Sequence, residues 1–586
     1  MRRFVFVLVM ACGSSQNGND GGVDGSSGFT VSLEKSYEGS GTVSGGTISC
    51  ADACKRASQS GFAAGDVLVL TATPSADSVF SNWGGACSGS SPTCTVNVSG
   101  NVVVNALFQT KAAMAGPTAN GVLEPGEACD GADVGGMTAL MIPGYASGTV
   151  KCKADRSGFD LSGLTPGNTI NAATCSSTDV QAAIDQAKDG DTVQVPAGNC
   201  TWTTQVKIGQ QDSTTKPATS VAITLAGAGI DVTTIRYQLS SLYAVTAAVQ
   251  FGKAVRITGF TFDGSLNTTP ATGAIGLGGD VGGFARVDHV KLTHLLTYGM
   301  DIYAIYGLVD HCSLVKDPTA GSVTEISLVG DTTERTGSAN DSWARPPSLG
   351  TANAVYLEDD VFDMPNVANG PEDAYEGARF VLRHSQVFGE NLGWHGFDSA
   401  IRGTMQYEIY ANTMTNSSPT GETSPNYPHG LLCESRSGSG VVYDNTITNG
   451  PNATNQYGTY DAFLELRNYR SSDGFFGASA DTANGSFCNG LPHKDGLVDG
   501  DFVGLQGYPC KDQTGRTTNQ ELMPTYSWNN DFLGTKGGFL VVGGYGTVPD
   551  GGTDRTTLHV VENRDYYNGL PKPGYVAYVY PHPLAL

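Results

Sequence analysis

Between residues 287 and 566 one short pattern returns eight times: VDHVKL, VDHCSL, LEDDVF, LRHSQV, IYANTM, VYDNTI, SWNNDF and VENRDY. A strand unit repeated this closely cannot bury its apolar face alone and must stack on its copies. Taking the small or polar residue before the last apolar pair as a reference column gives Val290, Cys312, Asp360, Ser385, Asn412, Asn445, Asn530 and Asn563. Several gaps are 22, 25, 27 and 33 residues, the 48 from Cys312 to Asp360 fits two coils, and the 85 from Asn445 to Asn530 implies a long insertion. Asn suits a turn between strands, because it tolerates left-handed φ and bonds its own backbone, and stacked Asn can form a ladder.

Strand alternation then assigns faces. Three residues before the column stand Val287, Val309, Leu357, Leu382, Ile409, Val442, Ser527 and Val560, and two after it Leu292, Leu314, Phe362, Val387, Met414, Ile447, Phe532 and Asp565. Both rows are mostly apolar and should face inward. The rows two and four before the column should face outward and hold Glu358, Arg383, Tyr410, Tyr443 and Trp528. Stacked coils would join these into a polar and aromatic stripe able to hold sugar rings, or into a sheet face shielded beneath loops.

Composition agrees with a turn-rich β protein: 78 Gly, and only 15% charged residues. The net charge of −23 makes nucleic acid a poor partner and requires a local basic patch for any acidic ligand. One is present, for Asp317 to His493 holds eight Arg and no Lys. Arg offers the planar fork that carboxylates and sulfates fit.

Arg2 and Arg3 followed by apolar Phe4 to Ala11 form an export signal too short to span a membrane. Its end, Val9-Met10-Ala11-Cys12, resembles a bacterial lipobox, in which Cys12 would be lipidated. The alternative is an ordinary signal with a chance Cys. Gly13 to Gly28 reads as a flexible tether. The expected location is a bacterial cell envelope, as an outer-membrane lipoprotein or outside the cell, with contact to the membrane through the lipid alone. An exported chain can keep disulfides. Cys50/Cys54, Cys87/Cys94, Cys129/Cys152, Cys175/Cys200 and Cys488/Cys510 fall into local pairs, while Cys312 and Cys433 sit in apolar strands as buried thiols.

GTVSGGTISCADAC and VLVLTATPSADSVFSNWGGACSGSSPTC resemble a bacterial surface repeat module, which implies surface spacing or adhesion. NGVLEPGEACDGADVGG resembles a Cys-rich repeat of myxobacterial surface proteins. Its Glu124, Glu127, Asp130 and Asp133 could hold Ca²⁺ or form a solvated loop pinned by a disulfide. STDVQAAIDQAKDGDTVQVPAGNCTW, with Val180, Ala183, Ile184 and Ala187 on one helix face, resembles the amino-terminal cap of the pectate-lyase-like right-handed parallel β-helix superfamily. The stretches Gly507 to Gln513 and Tyr578 to Leu584 resemble one exported branch of these proteins. The chain thus divides into a signal (1–12), a linker (13–28), a small β module (29–110), a Cys-rich segment (111–165) and a β-helix (170–586). It is read as a monomer.

The superfamily implies a polysaccharide ligand, here an acidic one. In β-elimination on a uronate polymer a cation neutralises the sugar carboxylate, a base takes the C5 proton and an acid assists the departing O4. Arg402 and Arg436 are the candidate neutralisers, His395 or Arg383 the base, and Tyr410 or Tyr443 the acid. Tyr443, Trp528, Glu358, Arg467 and Asp398 are candidate substrate contacts. No metal or other cofactor is required, although Ca²⁺ could serve as the cation. There is no R-x-P-x-x-R segment of the best-known pectate lyases. Two other readings stay open: a glycoside hydrolase using paired carboxylates, and a surface adhesin that binds glycans without turnover.

Overall fold

A computed structural model describes residues 28–585 outside 212–216, 240–242, 268–272, 296–297, 317–325, 331–339, 365–371, 390–391, 395–401, 416–430, 449–461, 468–507, 510–511 and 543–559. The signal and tether with Cys12, the residues His395 and Asp398, and the pair Cys488/Cys510 lie outside the described residues.

The amino-terminal module is two four-stranded sheets. Strands form at Val67–Pro74 and Val102–Thr110, where alternating apolar residues predict them. Leu68, Leu70 and Ala72 face the core while Val67 and Val69 face solvent. Disulfides join Cys50 to Cys54 and Cys87 to Cys94. The following segment has little regular structure and is pinned by Cys129–Cys152.

Next comes the cap. Ser176 accepts a hydrogen bond from the Asp179 N–H and starts the helix Ser177–Ile184, which buries Val180, Ala183 and Ile184. A disulfide ties Cys175 to Cys200. The chain then winds as a right-handed parallel β-helix, with one 21-stranded sheet bent at a corner in each coil and a second sheet of ten strands. The second sheet runs from Val206–Ile208 to Leu540–Val542.

The inward rows hold. Val287 pairs with Val309, then Leu357, Leu382, Ile409, Val442 and Ser527 in succession. Leu292, Leu314, Phe362, Val387, Met414, Ile447 and Phe532 follow one another likewise. These side chains form the apolar interior. Stacking one row over the next removes both from water at each coil, which supplies the main driving force.

Three details differ from expectation. The 48 residues from Cys312 to Asp360 are one coil with a long excursion, because Gly307 pairs directly with Val355. The last repeat is out of register: Ser527 pairs with Asn568 rather than Val560. The left-handed φ belongs to the residue before the column, at His289, His311, Asp359, His384, Ala411, Asp444 and Asn529. That residue turns the strand at the corner and directs the column residue inward. Asn412, Asn445 and Asn530 are therefore buried as a ladder. Asn412 Nδ2 donates to Asn445 Oδ1 at 2.9 Å, and Asn445 Nδ2 to Asn530 Oδ1 at 2.9 Å. The same oxygens accept the backbone N–H of Asn412 and Asn445, each at 3.1 Å. Ser385 and Asp360 continue the column with the same task.

The module is built into the β-helix. Arg516 donates to Glu34 at 2.6 Å and to Asp565 at 2.8 Å, and all three are buried. Lys572 pairs with Glu38 at 2.6 Å. Cys312 and Cys433 are buried thiols, as their apolar contexts predict. No helix among the described residues is long and apolar enough to cross a membrane. Four disulfides among the described residues fit an exported protein.

Replacing Asn445 by Ala strips donors and acceptors from both neighbouring coils. Chemical denaturation should show a loss of about 3 kcal/mol, since buried groups left unpaired cost about 1–3 kcal/mol each. An unchanged midpoint would mean that the ladder is not stabilising.

Candidate functional site

The outward stripe expected along the long sheet is real in register but covered. Arg383 is fully buried. Its Nε and one terminal nitrogen donate to Glu358 at 2.8 and 2.5 Å, and the rest of its fork bonds the Tyr410 hydroxyl and the carbonyls of Tyr578 and Val579. All five donors are thus used. Glu358 also accepts the His582 N–H at 2.9 Å. Tyr410 stacks on Tyr443 at 4.8 Å and Tyr443 on Trp528 at 4.4 Å, with Tyr575 edge-on. The face is roofed by residues 575–582 and by the Cys-rich segment, whose Met141, Ile142 and Phe159 share one apolar cluster with Tyr356, Val381 and Tyr410.

These contacts correct several expectations. Arg383 and Tyr410 are enclosed and present no free edge to a polymer as base or acid, and Glu358 is buried as an ion-pair partner, while Tyr443 and Trp528 are half-buried in the aromatic stack. Arg402 is buried as well. It makes two bonds to Asp512, at 2.7 and 2.6 Å, and lies over the Trp343 ring. The physical reason is that outward from the coil is not outward from the molecule when distant segments pack on that face.

The carboxylates of the Cys-rich segment do not converge either. Asp130 accepts from the N–H groups of Asn120 and Gly121, at 2.8 and 2.6 Å. Glu127 pairs with Arg156 and accepts from the Glu124 N–H, while Glu124 binds Thr118. Among the described residues no three His, Cys, Asp or Glu side chains are grouped to hold a metal. The expected Ca²⁺ cradle of Glu124, Glu127 and Asp130 is a set of loop-closing hydrogen bonds.

Arg436 and Arg467 belong to a different surface, the outer face of the second sheet. Here Asp301, Ser327, Asp373, Gly393, Glu434 and Glu465 stand in one register row. The next outward row contains Tyr303 and Tyr375, and Arg436 and Arg467 follow Glu434 and Glu465 by two residues in the same way. Alternation sends both rows away from the core, since Ile302, Leu328, Ala374 and Leu466 between them are buried.

The polar contacts on this face are dense. Arg436 donates to Glu434 at 2.6 Å. Arg467 bridges to Glu434 at 3.1 Å and pairs with Glu465. Tyr243 and Tyr303 both donate to the same oxygen of Asp301. Tyr298 donates to Asp373, and Tyr375 lies 3.3 Å from the Ser327 hydroxyl. Burial pushes the Tyr375 phenol up to about 12, and burial with nearby carboxylates pushes Tyr243 and Tyr298 higher still. These phenols stay protonated at neutral pH and act as donors. Tyr243, Tyr298, Tyr303, Asp373, Tyr375 and Arg436 are half-buried, so part of each is open to solvent.

Asp301, Tyr303, Asp373, Tyr375 and Glu465 escape a reading based on the asparagine column, because that column marks the other sheet. Their own signal is the repeat of an outward acid two residues before Tyr or Arg: MDIY, EDAY, CESR and LELR.

A titratable group lies on the long sheet beneath its roof, in the strand Gln406–Tyr410. Glu408 accepts from Tyr575 at 2.5 Å and from the Gly350 N–H at 2.8 Å. Burial pushes its carboxyl up to about 7, against these stabilising bonds. The folded state therefore prefers the protonated form. The corresponding stability is complete below the unfolded value near 4.5 and is lost as pH rises towards 7. Across that window the wild type should lose about 3 kcal/mol relative to Glu408→Gln, whose amide cannot ionise. Denaturation of both proteins at several pH values checks this, and parallel curves would refute it.

Residues 33–112 match the family model of the divergent InlB B-repeat domain. No curated protein matches the chain by sequence. Among solved structures the chain is similar to an alginate lyase from Paenibacillus sp. str. FPU-7, with a TM-score of 0.31 and 13% identity over 51% of this chain and 81% of that one. It is also similar to a mutant of the PL6 family alginate lyase AlyGC, with a TM-score of 0.31 and 10% identity over 71% of this chain and 57% of that one. The chain is therefore a parallel β-helix protein whose amino-terminal part carries a module matching the divergent InlB B-repeat domain.

Proposed function

We propose that the outer face of the second sheet is the substrate surface of an exported polysaccharide lyase acting on a uronate-containing polymer. The observation that carries this reading is the pair Arg436 and Arg467, set on coils whose strands are hydrogen-bonded neighbours and sharing Glu434. Two guanidinium forks on one face of a strongly acidic chain are suited to a sugar carboxylate.

In this scheme the arginines neutralise the carboxylate and so acidify the C5 proton. A base removes that proton. Its electron pair becomes the C4–C5 double bond, the C4–O4 bond breaks, and a donor returns a proton to O4. Tyr375, held protonated, suits the donor role. His395 follows Trp394 directly in the chain and is retained as the candidate base.

Glycoside hydrolysis is the second reading. Glu434 and Glu465 stand on adjacent coils about 4.8 Å apart. That spacing approaches the roughly 5–5.5 Å that retaining enzymes use.

The test is a panel of acidic and neutral polysaccharides, followed by ultraviolet absorbance of unsaturated ends and by total reducing ends. Absorbance should appear on a uronan, and Arg467→Ala and Arg436→Ala should each lower kcat/KM about 100-fold with the fold retained. Reducing ends without absorbance would replace the lyase by a hydrolase. Binding without either product would leave a glycan-binding surface protein.

A further inference from the structure

The second-sheet face is chemically uneven along the β-helix axis, and its consequence for substrate choice rests on the reading just given. In the coils entered at Val245, Ile275, Met300, Ile326 and Glu372, the charged residues of the two outward rows are Asp301 and Asp373, and neither row holds an arginine or lysine. Beyond the coil of Gly393 the same rows bring in Arg436 and Arg467. Between Lys207, which continues the row on the first coil, and Gly393 the face is therefore acidic and phenolic, and beyond Gly393 Arg436 and Arg467 are balanced by Glu434 and Glu465.

Coils repeat every ~4.8 Å, close to the rise of one sugar unit, so a polymer lying along the axis sets about one sugar over each coil. A uronate over Arg436 and Arg467 meets two guanidinium groups whose charge Glu434 and Glu465 balance, and so no net repulsion. One displaced by a few coils towards the cap meets Asp301 or Asp373. Asp301 is buried beneath Tyr243 and Tyr303 and is poorly screened by water, so like charges repel strongly there. The tyrosine rings of that half offer flat faces and hydroxyl groups, which suit uncharged rings.

We infer that the face selects a heteropolysaccharide, with a uronate over Arg436 and Arg467 and uncharged sugars over the Asp301–Tyr303 and Asp373–Tyr375 coils, and discriminates against contiguous polyuronate. The difference in charge sets the register of the chain as well as its identity, because sliding the polymer towards the cap carries its carboxylates from a charge-balanced surface to the acidic Asp301 and Asp373. Specificity here comes from repulsion at the wrong sugar as much as from attraction at the right one.

The test compares the full chain on hyaluronan, in which glucuronate alternates with an uncharged amino sugar, and on polygalacturonate, in which every sugar is charged. The expected kcat/KM is about tenfold higher on hyaluronan at low salt. Asp301→Asn combined with Asp373→Asn should close most of that gap, through a lower KM on polygalacturonate. Should that variant fail to fold, raising the ionic strength with wild type should narrow the gap in the same direction. Equal or better cleavage of polygalacturonate, or a gap untouched by both the variant and salt, overturns the inference. Absence of unsaturated product from both polymers overturns the lyase reading instead. Calorimetric binding of hyaluronan and galacturonate oligosaccharides then decides the present point: preference for hyaluronan that the variant erases upholds it, and equal affinity overturns it.

Discussion

Everything in the β-helix depends on one corner being made the same way in successive coils. A residue with left-handed φ turns the chain there, and the next residue points inward to a fixed ladder position. Parallel strands supply no side-chain register of their own beyond apolar alternation. The amide ladder adds a directional constraint, because the Oδ1 atoms of Asn445 and Asn530 each receive both an N–H and an Nδ2 from the preceding coil. A slip of one residue would leave those buried groups unpaired and would turn the Val and Leu rows towards solvent. The ladder thus fixes register, and register in turn places Glu434 beside Glu465 and Asp373 beyond Ser327 on the opposite sheet.

The two exterior faces of the coil meet different fates. On the long sheet, charge is consumed internally: Arg383 with Glu358, and Arg256 and Arg286 with Asp288 and Asp310. Desolvating such pairs costs several kcal/mol per ion, which is tolerable only with nearly complete hydrogen bonding, as the full use of Arg383 illustrates. On the second sheet Tyr303, Tyr375, Asp373 and Arg436 remain partly open, while Arg467, Glu434 and Glu465 are buried together as an ion-pair cluster. Rigid strands hold these groups at coil spacing, whereas a loop-borne site would have to be ordered by its ligand.

Much of the fold was legible in the sequence, because both signals that specify it are local. Period-two alternation fixed the inward rows from Val287 to Ser527, and polar residues at one strand offset fixed the ladder. The fate of the outward rows was not legible. Alternation tells which way Tyr410 points from its own strand, but not that Tyr578, almost 170 residues later, lies over it. The second sheet was missed for a related reason. Its strands carry no asparagine at a corner, and long insertions separate them, so MDIY and CESR look unrelated until the coil count is known. Arg436 and Arg467 were reachable from composition alone, through the excess of Arg over Lys, but their neighbours were not.

The buried triad of Glu34, Arg516 and Asp565 has a mechanical meaning. A surface module joined by a loose linker would let a catalytic or binding body swing freely. Here the module's first strand, Phe29–Lys35, is clamped to the far end of the β-helix through charges shut away from water. Tension applied at Phe29 would pass straight into the β-helix and load that ion cluster. The module then behaves as a bracket, continuous with the β-helix and not hinged to it.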